Sequence, residues 1–203
     1  MRVSFYFDPS CPWCWLTSRW LTEVQQLRDL EIAWKPFSLE IKNTGLDVPA
    51  QYRPGMRLGL RALRVIEAAK SENIADMDSI GRFYNALGTQ FHVQGLGAKS
   101  SIADALIAAQ WPADLHYHEN SEEMDLPIRK FMDEVLALYG TDEIGVPLLV
   151  LESDTPVTFS GPLLTRTLRG DEAADLWDAF TVFAKNGAFF ELKKQKSSSP
   201  DFS

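Results

Sequence analysis

Two cysteines occur in the 203 residues, and they stand three apart, at Cys11 and Cys14, with Pro12 and Trp13 between them. Residues i and i+3 of a helix share a face, so two sulfurs at this spacing can close a small disulfide ring and reopen it. The pair stands where an apolar strand runs into a helical pattern, which puts Cys11 at the N-cap and Pro12 at the first helical position, where its missing N–H costs nothing. Unpaired N–H groups and the positive end of the helix dipole stabilise an anion at Cys11, and the thiolate is the attacking species in thiol exchange. Cys11 is therefore read as the nucleophile. Cys14, deeper in the helix, is read as the resolving thiol that attacks a mixed disulfide at Cys11. A purely structural bridge is disfavoured, because a loop so short constrains the unfolded chain little. A zinc site would need two further ligands, and none of His92, His116 and His118 stands at a spacing that pairs with the CxxC.

The elements that must position this pair follow from periodicity and punctuation. Val3–Phe7 is aromatic and β-branched and stops at Asp8-Pro9, so it reads as a strand. Trp15, Leu16, Trp20, Val24 and Leu27 recur at helical spacing after it, and residues 31–39 read as a second strand that Pro36 marks as an edge or as bent there. Residues 40–48, with Asn43-Thr44-Gly45, read as a loop. From Pro49 to about Gly140 the pattern is helical, with helices expected over 51–69, 77–94, 100–110 and 126–138. Residues 147–152 and 157–160 read as a hairpin, residues 171–185 as a closing helix, and the polar end 197–203 as frayed.

A β-α-β unit carrying CxxC, a helical block, a hairpin and a final helix is the order of an α/β thioredoxin fold with an inserted all-helical domain. The expected division is a thioredoxin-like domain over 1–48 and 141–195, a helical lid over 49–140 and a flexible tail over 196–203. Such a site needs a cis proline at the start of the strand that follows the insertion, and Val146-Pro147 holds that place; a cis X-Pro bond costs only about 0.5–1 kcal/mol over trans. Composition narrows the partners. A net charge of −8 argues against nucleic acid and anionic membranes, which call for clustered Lys and Arg. Val3–Phe7 is too short for a signal h-region or a membrane span, which makes the expected location cytoplasmic.

The stretch Phe7-Asp8-Pro9-Ser10-Cys11-Pro12-Trp13-Cys14-Trp15, with Thr17-Ser18-Arg19-Trp20 after it, resembles the DsbA-like thioredoxin family, in its cytoplasmic mycothiol-dependent reductase and nitroreductase branch. Gln51 to Met56, His92 with Gln94-Gly95, Phe159 to Pro162, Arg169 to Ala173, Leu176 to Asp178 and Phe189 to Lys193 are similar to that branch in order and spacing. The resemblance implies a CPWC dithiol with no bound cofactor, mycothiol as the reducing co-substrate, and a disulfide or small electrophile such as a nitroaromatic as acceptor. It implies Trp13, Asn43 and Tyr52 as surroundings of the site; Pro12, His92 and Val146 join them as candidate substrate contacts beside catalytic Cys11, Cys14 and Pro147. Two positions depart from the branch, with Val146 in place of Thr before the proline and Leu168 in place of Pro.

Several residues have competing readings. Trp13, trapped between the cysteines, suits stacking on a flat ligand. Asn43 and Tyr52 could equally serve an Asx-turn and a core ring, and Asp8 could relay a proton or end the strand. Trp15, Trp20, Trp34 and Trp177 read as core, and His116 and His118 as a solvated turn. The rival functions are a general DsbA-like protein disulfide oxidoreductase or isomerase and a non-catalytic redox sensor. The sequence leaves a homodimer open.

Overall fold

The structure is a computed structural model and describes residues 1–189, 191, 194, 195 and 198–202. Strand β1 (Arg2–Phe7) is its central element, paired in parallel with β2 (Glu31–Pro36) and antiparallel with β3 (Leu148–Leu151). Strand β4 (Val157–Ser160) pairs antiparallel with β3, which gives the order β2-β1-β3-β4. The central position buries both faces of β1, and this is why Val3–Phe7 is apolar without alternation. Pro36 is the last residue of β2, an edge strand, where a missing N–H breaks no ladder.

Helix α1 (Pro12–Leu27) links β1 to β2 and buries Trp15, Leu16, Trp20 and Val24 of the expected stripe together with Leu21, whereas Leu27 at its end is 40% exposed. The indole N–H of Trp20 donates to Ala173 O at 2.9 Å in α7 (Gly170–Lys185), and the Trp20 and Trp177 rings meet at 5.7 Å. On the face of the sheet that also carries Phe159, against which Phe180 of α7 packs at 5.2 Å, Phe5 and Phe7 stack at 5.7 Å, and Trp34 meets each of them edge-on. All four tryptophans read as core are at most 4% exposed.

Between β2 and β3 the chain is helical. The loop expected over 40–48 starts with a short helix, α2 (Leu39–Lys42), whose Ser38 cap accepts from Ile41 N at 3.2 Å, and residues 43–48 form the irregular remainder. Helices α3 (Arg53–Ser71), α4 (Met77–Gly88, continued by one wide turn Thr89–Val93), α5 (Ile102–Ala109) and α6 (Asp125–Tyr139) follow. Two of their starts are capped by side chains, with Asp76 and Ser79 forming a reciprocal capping box and Ser101 capping α5. Gly140 closes α6 in the left-handed conformation, φ +91°. Arg64 of α3 clamps Asp125 at the head of α6 through two bonds of 2.7 and 2.9 Å. The frayed end expected at 197–203 falls partly on residues outside the described set. Within it Asp201 N–H donates to Thr165 O at 2.7 Å and the Phe202 ring lies 5.4 Å from His92. No helix among the described residues is long and apolar enough to cross a membrane.

Candidate active site

The turn that ends β1 sets the position of the dithiol. Cys11 N–H donates to Asp8 O at 3.0 Å and Cys11 O accepts from Trp15 N at 3.1 Å, so Cys11 is the N-cap of α1 with extended backbone, and Pro12 follows at the first helical position. Both cysteines are free thiols, Cys11 at 5% exposure and Cys14 at none. Burial, followed by the hydrogen bond with Cys11 and the charges of Cys11 and Asp8, pushes the Cys14 thiol well above its ordinary value. Cys14 therefore rests as a neutral thiol.

The opposing wall is the Val146-Pro147 bond, which is cis. Cys11 Sγ donates to Val146 O at 3.6 Å, which brings together the two segments that were expected to meet although 135 residues separate them. The Gly161-Pro162 bond is also cis and lies beside the first: Gly161 N–H donates to Pro147 O at 2.9 Å, and Thr17 Oγ1 of α1 donates to Pro162 O at 2.8 Å. In the sequence Gly161-Pro162 stands out only as part of the Phe159 to Pro162 stretch of the resemblance. Its part in the site was missed, and the one sequence signal was a second Gly-bearing X-Pro step directly after a strand.

Two buried titratable groups flank the CPWC turn. Asp8 has no exposed surface; its Oδ1 accepts from Ser10 N at 2.7 Å and Ser10 Oγ at 2.6 Å, and its Oδ2 from Leu39 N at 2.6 Å. Burial nevertheless outweighs these three donors and pushes the carboxyl up to about 6. Helix α3 packs so closely here that a Cβ on Gly59 would stand 2.5 Å from Asp8 Oδ1. His92, in the wide turn after α4, donates from Nε2 to Pro9 O at 2.9 Å, and burial pushes its imidazole down to about 4. Its ring stacks 5.8 Å from Trp15, and Gly88 lets α4 approach the same indole, where a Cβ would meet Trp15 Cε3 at 2.3 Å. The helical block thus grips the turn at Asp8, Pro9 and Trp15.

The remaining candidates lie at varied distances from this centre. Tyr84, fully buried on Phe7 at 4.5 Å, is pushed well above its ordinary value by burial and by the charge of Cys14, and it was not singled out in the sequence. Asn43 caps the C-terminus of α2 and sets its amide 3.6 Å from Met56 Sδ, and Tyr52, at 57% exposure, stands before α3. Trp13 is half-buried and lines a groove with Leu163 and Leu164. His118 reaches Glu72 at 3.2 Å and His116 Nδ1 is 2.7 Å from Ala113 O, both in the turn region away from the cysteines.

The family model described as the Rv2466c-like mycothiol-dependent nitroreductases matches residues 10–194, a span that runs from the CPWC turn to beyond α7. The chain belongs to this family. Among curated proteins the Rv2466c-like chain is similar to the uncharacterized protein Rv2286c of Mycobacterium tuberculosis, 28% identical over 199 residues, covering 96% of this chain and 82% of the relative. Among solved structures it is similar to the cytosolic disulfide reductase DsbM of Pseudomonas aeruginosa, with a TM-score of 0.60 and 11% identity over 90% of this chain and 100% of DsbM. A probable DsbA oxidoreductase of Streptomyces coelicolor gives a TM-score of 0.54 and 16% identity over 99% of this chain and 97% of the relative. These structures show a DsbA-like thioredoxin fold. As an Rv2466c-like protein the chain is a thiol-disulfide oxidoreductase.

Proposed function

We propose that the Rv2466c-like chain uses Cys11 and Cys14 as a two-electron dithiol that is regenerated by mycothiol in the cytoplasm, with residues 49–140 as a lid over it. The observation that carries this reading is the reduced Cys11 thiol at the head of α1, held 3.6 Å from Val146 O beside the cis Pro147. Cys11 attacks a disulfide acceptor and forms a mixed disulfide while one thiol leaves. Cys14 then attacks the Cys11 sulfur, the second thiol leaves, and the protein is left as an intramolecular disulfide. Two mycothiols reverse the process and leave as mycothiol disulfide. A nitroaromatic acceptor takes the same two electrons and two protons to give a nitroso product and water.

The near-complete burial of Cys11 favours a small acceptor over a folded protein. A low-molecular-weight thiol as partner is supported by the family description and by the fold relative DsbM, whose structure has also been solved with GSH. The candidate contacts Pro12, Trp13, Asn43, Tyr52, His92 and Val146 are assigned on the same reading. The test is Cys14→Ser incubated with mycothiol disulfide and examined by mass spectrometry. A stable mycothiol adduct on Cys11 is expected, absent in the Cys11→Ser, Cys14→Ser double variant; no adduct at Cys11 removes mycothiol from the reading, and an adduct with no turnover of wild type on any acceptor leaves the redox-sensor alternative standing.

A further inference from the structure

After β4 the chain leaves the sheet at Gly161-Pro162 and runs without regular structure through residues 163–168. Its start is pinned to both halves of the redox site, through Gly161 N–H to Pro147 O at 2.9 Å and Thr17 Oγ1 to Pro162 O at 2.8 Å. Beyond these anchors a groove of about 350 Å³ opens, lined by Trp13, Leu163, Leu164 and Leu168 on its apolar side and by Arg166 and Lys194 among its polar groups. None of the described lining residues is acidic, in a chain whose net charge is −8. Arg166 is already engaged by Glu172 through both terminal guanidinium nitrogens, whereas Lys194 forms no ion pair with another described residue. Leu163 is 58% exposed, an apolar side chain left open beside an indole.

We propose that this groove is the acceptor site and that it takes a planar aromatic acceptor bearing an anionic group such as a carboxylate. The ring lies against Trp13 and the leucines, where stacking and burial of apolar surface hold it, and the anion is met by Lys194. The reaction is the one proposed above, on which this inference rests. With an aromatic disulfide, Cys11 displaces one arylthiolate, Cys14 displaces the second, and two electrons pass from the dithiol to the acceptor. Trp13 belongs to the first turn of α1, and the segment that forms the groove starts at the Gly161 and Pro162 anchors on Pro147 and Thr17, which ties the groove to the dithiol turn.

The test compares two planar aromatic disulfides on the full-length chain: dithiobis-nitrobenzoate, a dianion, and dithiodipyridine, uncharged at neutral pH. The readout is the ratio of their kcat/KM values. Lys194→Gln is expected to lower that ratio by about fivefold and Lys194→Glu by more, because an exposed ion pair contributes up to about 1 kcal/mol. Added salt should lower the ratio in wild type and have less effect in Lys194→Gln. Lys130→Gln, on the exposed face of α6, should leave the ratio where it was. An unchanged ratio in both Lys194 variants overturns the groove proposal. Failure of wild type to reduce either disulfide, or full activity in Cys11→Ser, instead overturns the dithiol reading beneath it.

Discussion

Asp8 and His92 flank the CPWC turn and titrate in the same pH interval with opposite consequences for stability. The Asp8 carboxyl is raised from 3.8 to about 6, so the folded chain holds a proton there that the unfolded chain has lost. Its stabilisation is complete below about pH 4 and is lost as pH rises through 6; a shift of about two units corresponds to roughly 3 kcal/mol. The His92 imidazole is lowered from 6.5 to about 4, so the unfolded chain binds the extra proton. Stability from this group is complete above about pH 6.5 and is lost as pH falls through 4, again by roughly 3 kcal/mol. The two nearly cancel in wild type. Asp8→Asn should expose the histidine, so that acidification from pH 7 to 4 costs that variant roughly 3 kcal/mol more than it costs wild type. His92→Gln should show the reverse and gain on acidification relative to wild type. Urea unfolding of the three reduced proteins between pH 4 and 7.5 measures these differences, in which the exposed carboxylates cancel. If the wild-type-minus-Asp8→Asn difference is flat across this interval, the Ser10 and Leu39 donors hold Asp8 ionised throughout, and the claim that burial outweighs them is wrong.

Ser10→Ala removes a hydroxyl that donates to the charged form of Asp8, so the carboxyl should climb above 6; carbon-detected NMR titration of the side chain reads this. Gly59→Ala gains about 1 kcal/mol of helix propensity but drives a Cβ to 2.5 Å from Asp8 Oδ1, and a net loss of about 1–3 kcal/mol is expected by thermal melting. Trp20→Ala empties a fully buried site and removes the indole N–H that donates to Ala173 O, which should cost about 3–5 kcal/mol in urea.

Much of this architecture was legible because each signal is local. The apolar run of β1, the Ser and Asp caps and Gly140 act within a few residues of themselves, so they can be read along the chain. The Cys11–Val146 pairing was reached differently, since a site requirement picked one proline from eleven. The four residues of α2 span barely one turn, too few to show a helical period, and they passed as loop. The contacts of Asp8 with Leu39 N and Gly59, of His92 with Pro9 and of Tyr84 with Phe7 join distant segments, and no spacing rule encodes them. The glycines at 59 and 88, which carry no signal of their own in the sequence, are the points where α3 and α4 come close enough to touch Asp8 and Trp15.

The register of β1 has a further consequence for how the chain assembles. Phe7 lies opposite Pro36 on one side, and Tyr6 lies opposite Leu148 on the other. The whole helical segment between them must therefore return its two ends to within about 10 Å, twice the spacing of neighbouring strands. A disordered segment of that length meets a loop-closure cost that grows with its logarithm, whereas a segment already folded delivers its ends together. Early helix formation and late docking of β3 is the favoured order, as expected where non-local pairing limits the rate. Until β3 docks, the carbonyl of Val146 is not in place, so a chain emerging during synthesis carries its dithiol without the wall that faces it.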